Sequence, residues 1–268
     1  MMNYSLLDRP EVLSVIFHPR PELGPAPIDG HINDHLIQVE KEIHVGARFH
    51  LASAKGANLL FFHGNGEIVA DYDQLGPLYN NLGINFLPVD YRGYGRSSGR
   101  PTISNMMADC HAIFDYVRRW MADNGHSGPL ITMGRSLGSA CALELVAGHA
   151  DQIDGLIIES GFAYTAPLLH LLGVNPDALG LEQRDGFANT EKIVNFPGPT
   201  LIIHAEYDPI IPFSDGMALY KASTAQDKSL LKIENAHHND ILMRGLDDYL
   251  QAIQRLVDRI RRQNGQRI

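Results

Sequence analysis

ITMGRSLGSACALELV, residues 131–146, sets a serine between two glycines where an apolar run gives way to a helical pattern. Gly134-Arg135-Ser136-Leu137-Gly138 fits GxSxG, which carries chemical meaning only when a strand runs into it and a helix leaves it. The pattern meets both conditions, with PLITMGRS reading as a buried strand and residues 137–149 as a helix. A turn this tight lifts a hydroxyl above the sheet, and flanking glycines leave room for the neighbouring strand and helix. It also brings the N–H of Leu137 to a helix start, where unpaired donors can face a developing oxyanion. Serine is equally a preferred helix N-cap, so Ser136 has to be judged by what the rest of the chain supplies.

Outward from this stretch the chain alternates. NLLFFHG, INFLPVDYRG, GLIIESG, TLIIHAEYD and KSLLKIEN are further short apolar runs bounded by Gly, Pro, Asp or Asn, as strands buried on both faces are. Helical patterns lie between them, at roughly 68–82, 104–124, 188–195, 215–223 and 240–262. This predicts an α/β fold with a mostly parallel sheet and helices on both faces. Residues 36–53 instead read as two or more strands forming an antiparallel edge, and the Pro-rich residues 1–35 as a segment that wraps over the domain.

Ligands of such sheets bind outside the carboxyl ends of the strands, where this chain keeps its reactive side chains. A serine needs a base to take its proton and a carboxylate to hold that base in the right tautomer. Asp208, ending TLIIHAEYD, is the candidate acid, and it also suits a turn before Pro209. Glu206, expected on the strand, and Asp215, expected to cap a helix, are weaker rivals. His238 is the candidate base, with its neighbour His237 as the alternative and Asn239 or Asp240 as cap of the last helix. His237, His238 and Asp240 alone make a weak metal set, so no metal is predicted. FHGNGE offers the N–H of Asn65 as a second oxyanion donor, with His63 reading as structural and Glu67 as either a substrate contact or a first-turn acid. GNGE lacks the GK[ST] ending of a phosphate loop, and no cofactor is expected.

Taken together, FHGNG, DYRGYGRSSG, GRSLGS, EYDPIIP and HHND resemble the α/β-hydrolase superfamily, and within it the compact Bem46-like serine hydrolases. The resemblance covers roughly residues 57–262. It implies an eight-stranded sheet, Ser136 as nucleophile, Asp208 as acid, His238 as base, and Asn65 and Leu137 as oxyanion donors. One departure is His237, where many relatives carry a small residue before the base. The implied activity is cleavage of carboxylic esters through an acyl-enzyme, with thioester hydrolysis or acyl transfer, and a non-catalytic binding module, as alternatives. Residues 162–189 read as a small lid, whose Leu168, Leu169, Leu171 and Leu172 would line an apolar acyl pocket or else pin the lid to the body.

The totals narrow the rest. A chain of 268 residues with 44% apolar and 20% charged residues is long enough for one large core and has the composition of a globular domain, so a single domain is expected. A net charge of −9 argues against nucleic acid as a partner and leaves a small acyl substrate. The basic cluster Arg259, Arg261 and Arg262 reads as a solvated helix end. With two cysteines set far apart and no run of 18 apolar residues, no disulfide framework or membrane span is predicted, and a cytoplasmic location is expected.

Overall fold

A computed structural model describes residues 3–24, 32–181 and 186–265. Among these residues eight strands form one sheet: β1 (Ile32–Glu40), β2 (Ile43–His50), β3 (Ala57–Phe62), β4 (Ile84–Val89), β5 (Leu130–Arg135), β6 (Gly155–Glu159), β7 (Thr200–Ala205) and β8 (Lys228–Ile233). Their spatial order is β1-β2-β4-β3-β5-β6-β7-β8. β2 runs antiparallel to both neighbours, and β3 to β8 are mutually parallel. β3 to β7 are buried along their whole length, which is why their sequences are continuous apolar runs rather than alternating ones. After β4 the chain crosses back over β3 to form β5, so the strand order reverses there, and a crevice opens at the carboxyl ends of β3 and β5.

Helices cover both faces. α1 (Pro10–Ile16), α3 (Ile103–Asp123), α4 (Ser139–His149), α5 (Thr165–Leu171), α6 (Asn189–Val194) and α7 (Phe213–Ala222) pack on one side, while α2 (Leu75–Asn81) and α8 (Ile241–Gly265) pack on the other. α4 is buried from Ser139 through Val146, so it has no polar face and uses small residues to sit close to the sheet. α8 presents a stripe of Tyr249, Ala252, Ile253, Leu256, Val257 and Ile260 at helical spacing.

Several expectations shift in detail. The helix expected over 68–82 is a 3₁₀ turn, Val69–Tyr72, followed by the shorter α2. Pro77 fits the first turn of a helix but would clash with the preceding carbonyl inside a longer one. β1 starts at Ile32, so residues 32–35 belong to the sheet edge and not to the wrapping segment. Of that segment, residues 3–24 pack Tyr4, Leu7, Val12, Ile16 and Phe17 into the core, and residues 25–31 lie outside the described residues. The lid interval 162–189 contains α5 and a 3₁₀ turn, with 182–185 likewise outside the description. Arg259 pairs with Asp227 and Arg261 donates to the Gly83 carbonyl, so the basic end of α8 is tied down rather than merely solvated. Cys110 and Cys141 are free and buried. No helix among the described residues is long and apolar enough to cross a membrane.

Candidate functional site

Ser136 follows β5 with φ 51°, a left-handed backbone that a non-glycine residue adopts at some cost. The turn closes only because its neighbours lack side chains. A Cβ on Gly134 would run into the backbone of Gly138 and Ser139, and one on Gly138 into the Phe62 and His63 carbonyls. Ser136 does not cap α4. It begins a 3₁₀ turn, Ser136–Gly138, and Ser139 Oγ donates to its carbonyl. Its own Oγ lies 3.0 Å from His238 Nε2. His238 Nδ1 lies 2.6 Å from Asp208 Oδ2, and Oδ1 of the same carboxylate accepts from the N–H groups of Ile210 and Ile211 at 2.9 and 2.8 Å.

Asp208 therefore has the turn geometry expected of an aspartate before proline and an imidazole partner at once. Burial works to raise its carboxyl pKa, but the hydrogen bond and charge of His238 and the two backbone donors outweigh it and hold the group below the usual carboxylate range. Beneath it, His204 is buried with Nε2 2.8 Å from the Ile211 carbonyl, and burial lowers its pKa, which keeps it neutral.

Of the two histidines, His238 is the one whose ring lies within hydrogen-bond reach of Ser136. His237 is exposed and turns away, with Nδ1 2.7 Å from the Tyr207 carbonyl. The pair and Asp240 do not converge on a common point, because the Asp240 carboxylate accepts from the His237 N–H. Neither residue expected to cap α8 does so by side chain: Asp240 folds back onto His237, and Asn239 Oδ1 accepts from Arg135. Among the described residues no group of three or more His, Cys, Asp or Glu is arranged to hold a metal. The rivals of Asp208 are engaged elsewhere. Glu206 lies just past β7 and pairs with Lys232, and Asp215, inside the first turn of α7, accepts from the Ala163 N–H.

A cavity of about 70 Å³ opens at Ser136, and its lining includes Asn65, Leu137, Ile16, Phe162, Leu168 and Leu172. Apart from Asn65 and Ser136 its walls are apolar. Two expected pocket residues are not part of it. Leu169 is fully buried in the core, because on a helix it faces away from the Leu168 and Leu172 pair spaced four apart, and Leu171 is half exposed. Glu67 does not line this cavity either, and its carboxylate is engaged by the protein itself. Its Oε2 accepts from the Gly64 N–H and the Tyr72 hydroxyl, both at 2.6 Å, and its Oε1 accepts from Arg135 Nε at 2.9 Å. Burial opposes its ionisation, but Arg135 and Tyr72 hold its pKa below the usual value. His63 is structural, with its ring between the Gly64 carbonyl and Asp90.

The pattern did not reveal the contribution of the N-terminal segment. Val15 and Ile16 line the cavity, and the His18 N–H donates to Asn65 Oδ1 at 2.8 Å. These residues lie some 120 positions before the serine, and nothing in their spacing announces it. Arg135 likewise occupies a variable position of GxSxG, which assigns it no role.

Residues 53–184 match the family model described as serine aminopeptidase, S33. The human alpha/beta hydrolase domain-containing protein 17B is 33% identical over 208 residues, covering 74% of this chain and 65% of its own. The mouse protein 17C is 32% identical over 203 residues, covering 74% and 58%. The chain thus spans less than two thirds of the length of these curated relatives. Among solved structures, the Pyrococcus furiosus esterase Pf2001 superposes with a TM-score of 0.70 at 15% identity, over 90% of this chain and 98% of that one. Est1E from Butyrivibrio proteoclasticus gives 0.67 at 17% identity, over 85% and 98%. At such identities the likeness speaks for the fold alone.

Proposed function

Because the chain belongs to the α/β-hydrolase superfamily, we propose that it is a serine hydrolase that cleaves carboxylic esters through an acyl-enzyme. The observation that carries this reading is the unbroken line Ser136 Oγ, His238 Nε2, His238 Nδ1, Asp208 Oδ2, with contacts of 3.0 and 2.6 Å. The Ser136 hydroxyl gives its proton to His238 Nε2 as Oγ attacks the carbonyl, and Asp208 accepts from Nδ1–H and stabilises the imidazolium. The backbone N–H groups of Asn65 and Leu137, both at the cavity, receive the oxyanion. His238 then returns the proton to the leaving alcohol, and a water deprotonated by the same imidazole releases the acid. The apolar walls around Leu168 and Leu172 suit the acyl side of the substrate.

Turnover of p-nitrophenyl acyl esters of graded chain length, alongside matched thioesters and amides, tests this reading. Ser136→Ala is expected to lower kcat by on the order of 10⁶-fold, and a fluorophosphonate probe to label the wild type at Ser136 and leave the variant unlabelled. Near wild-type ester turnover by Ser136→Ala would overturn the assignment, preference for thioesters by kcat/KM would move the substrate class, and absence of labelling would favour a binding module.

A further inference from the structure

Arg135 takes no part in the proton path, yet its guanidinium stands among the segments that carry nucleophile, base and oxyanion site. It sits directly before Ser136, and strand alternation turns its side chain to the α2 and α8 face of β5, beside its register partner Glu159 on β6. There it is 8% exposed. Nη1 donates to the His238 carbonyl at 3.3 Å and lies 3.6 Å from Glu159 Oε1, and Nη2 donates to Asn239 Oδ1 at 3.1 Å. Nε donates to Glu67 Oε1, and the other oxygen of Glu67 holds the Gly64 N–H, next to Asn65.

We propose that Arg135 is a positioning residue that sets the distance from His238 to Ser136 and, through Glu67, registers both against the Gly64–Asn65 turn. The inference rests on the serine-hydrolase reading above. Apart from the Ser136 hydroxyl itself, the loop around His238 is held from the β7 side, by Asp208 to His238, the Tyr207 carbonyl to His237, the Tyr207 N–H to the Ala236 carbonyl and Glu206 to the Asn235 N–H. They fix His238 relative to the acid. Arg135 ties the loop to β5, the strand that presents the nucleophile. Stability alone does not call for a charge here, since a buried ion pair replaced by apolar residues of similar volume is often no less stable. What an apolar replacement lacks is a planar fork of donors reaching Glu67, the His238 carbonyl and Asn239 together, and the compact lysine ammonium cannot span all three.

The test compares the wild type with Arg135→Met, Asn239→Ala and the double variant on p-nitrophenyl butyrate. Asn239 is exposed, so its replacement keeps the proposal testable should Arg135→Met fold poorly. A misplacement of the base predicts that Arg135→Met lowers kcat by about 10²-fold with KM little changed, and slows fluorophosphonate labelling of Ser136 to match. Asn239→Ala is expected to lose a smaller factor in kcat, and nothing further once Arg135 is gone. Free guanidinium at non-denaturing concentration should restore part of the Arg135→Met turnover by entering the cavity of about 290 Å³ that Arg135 and His238 both line. Unchanged kcat in both single variants, or losses that only follow the folded fraction and do not respond to guanidinium, would overturn the positioning role. A wild type without Ser136-dependent turnover would remove the hydrolase reading itself, and this proposal with it.

Discussion

A left-handed backbone at Ser136 and a carboxylate satisfied from three directions at Asp208 are the local costs of holding three distant side chains in line. Replacing Asp208 by Asn keeps the shape and removes the charge, so kcat should fall by about 10⁴-fold while the fold survives, as a steady-state assay with a circular dichroism control would show. The same charge makes a pH prediction. Because the folded carboxyl titrates below its unfolded value, its stabilising contribution is complete above the ordinary carboxylate range and disappears as pH falls through the folded value. The difference in thermal midpoint between wild type and Asp208→Asn should therefore shrink on acidification below about pH 5. His237→Ala should retain turnover within about threefold, whereas His238→Ala should lose it on the scale of the serine variant. At this scale the candidate nucleophile was legible because GxSxG is a local signal. The candidate base was legible only as one of two neighbours, since which of them turns inward depends on a loop path that adjacent residues do not encode. Arg135 was not legible, because a charged residue at a buried strand end finds its partners on other strands.

Helix α5 separates two roles within one run of leucines. Leu168 and Leu172 reach the cavity at Ser136, and Leu169 is buried in the core. Leu169→Ala should accordingly cost about 2–5 kcal/mol in chemical denaturation. Leu168→Ala should leave stability closer to wild type and shift the preferred acyl length in a graded ester series. The sequence pattern placed four leucines together without telling these roles apart, since seven helical residues supply too few turns to define a face. Longer or fully buried elements were easier to read: every apolar run taken as a strand is one, and for β3 to β7 burial on both faces leaves an unbroken signature, while β8 is only partly buried. β1 resisted at its start for the opposite reason. Asp34 and His35 are polar residues on a strand, paired with Arg48 across the ladder and, through Nδ1, with Tyr116, and such pairings have no trace in a single sequence.

Across the whole molecule, the cavity is completed by an N-terminal segment that packs into the core and whose Glu22 is tied to the sheet by a buried arginine. Arg48 of β2 is 1% exposed and pairs with Glu22 of the N-terminal segment, Asp34 of β1 and Asp73 just before α2, at 2.7, 2.7 and 2.9 Å. Burial raises the Asp73 carboxyl even against the pull of Arg48. Arg48→Met would leave these carboxylates facing one another with their main counter-charge gone. Removing one partner of a buried pair costs about 3–5 kcal/mol, which corresponds to a fall on the order of 10 °C in thermal midpoint for a chain of this size. In the variant the Asp73 carboxyl, raised by burial even with Arg48 in place, should titrate further above its unfolded value, so folding favours its protonated form, and the deficit should widen from acid to neutral pH as it ionises. A neutral hydrophobic effect alone would leave the deficit flat across that range, so midpoints measured from acid to neutral pH decide between them. Because Val15 and Ile16 wall the cavity and His18 holds Asn65, loosening this anchor should also reduce kcat/KM at temperatures where the rest of the sheet remains folded. Loss of N-terminal hydrogen-exchange protection ahead of β3 to β7 in the variant would place that weakening in the N-terminal segment, whereas simultaneous loss would assign it to the fold as one cooperative unit.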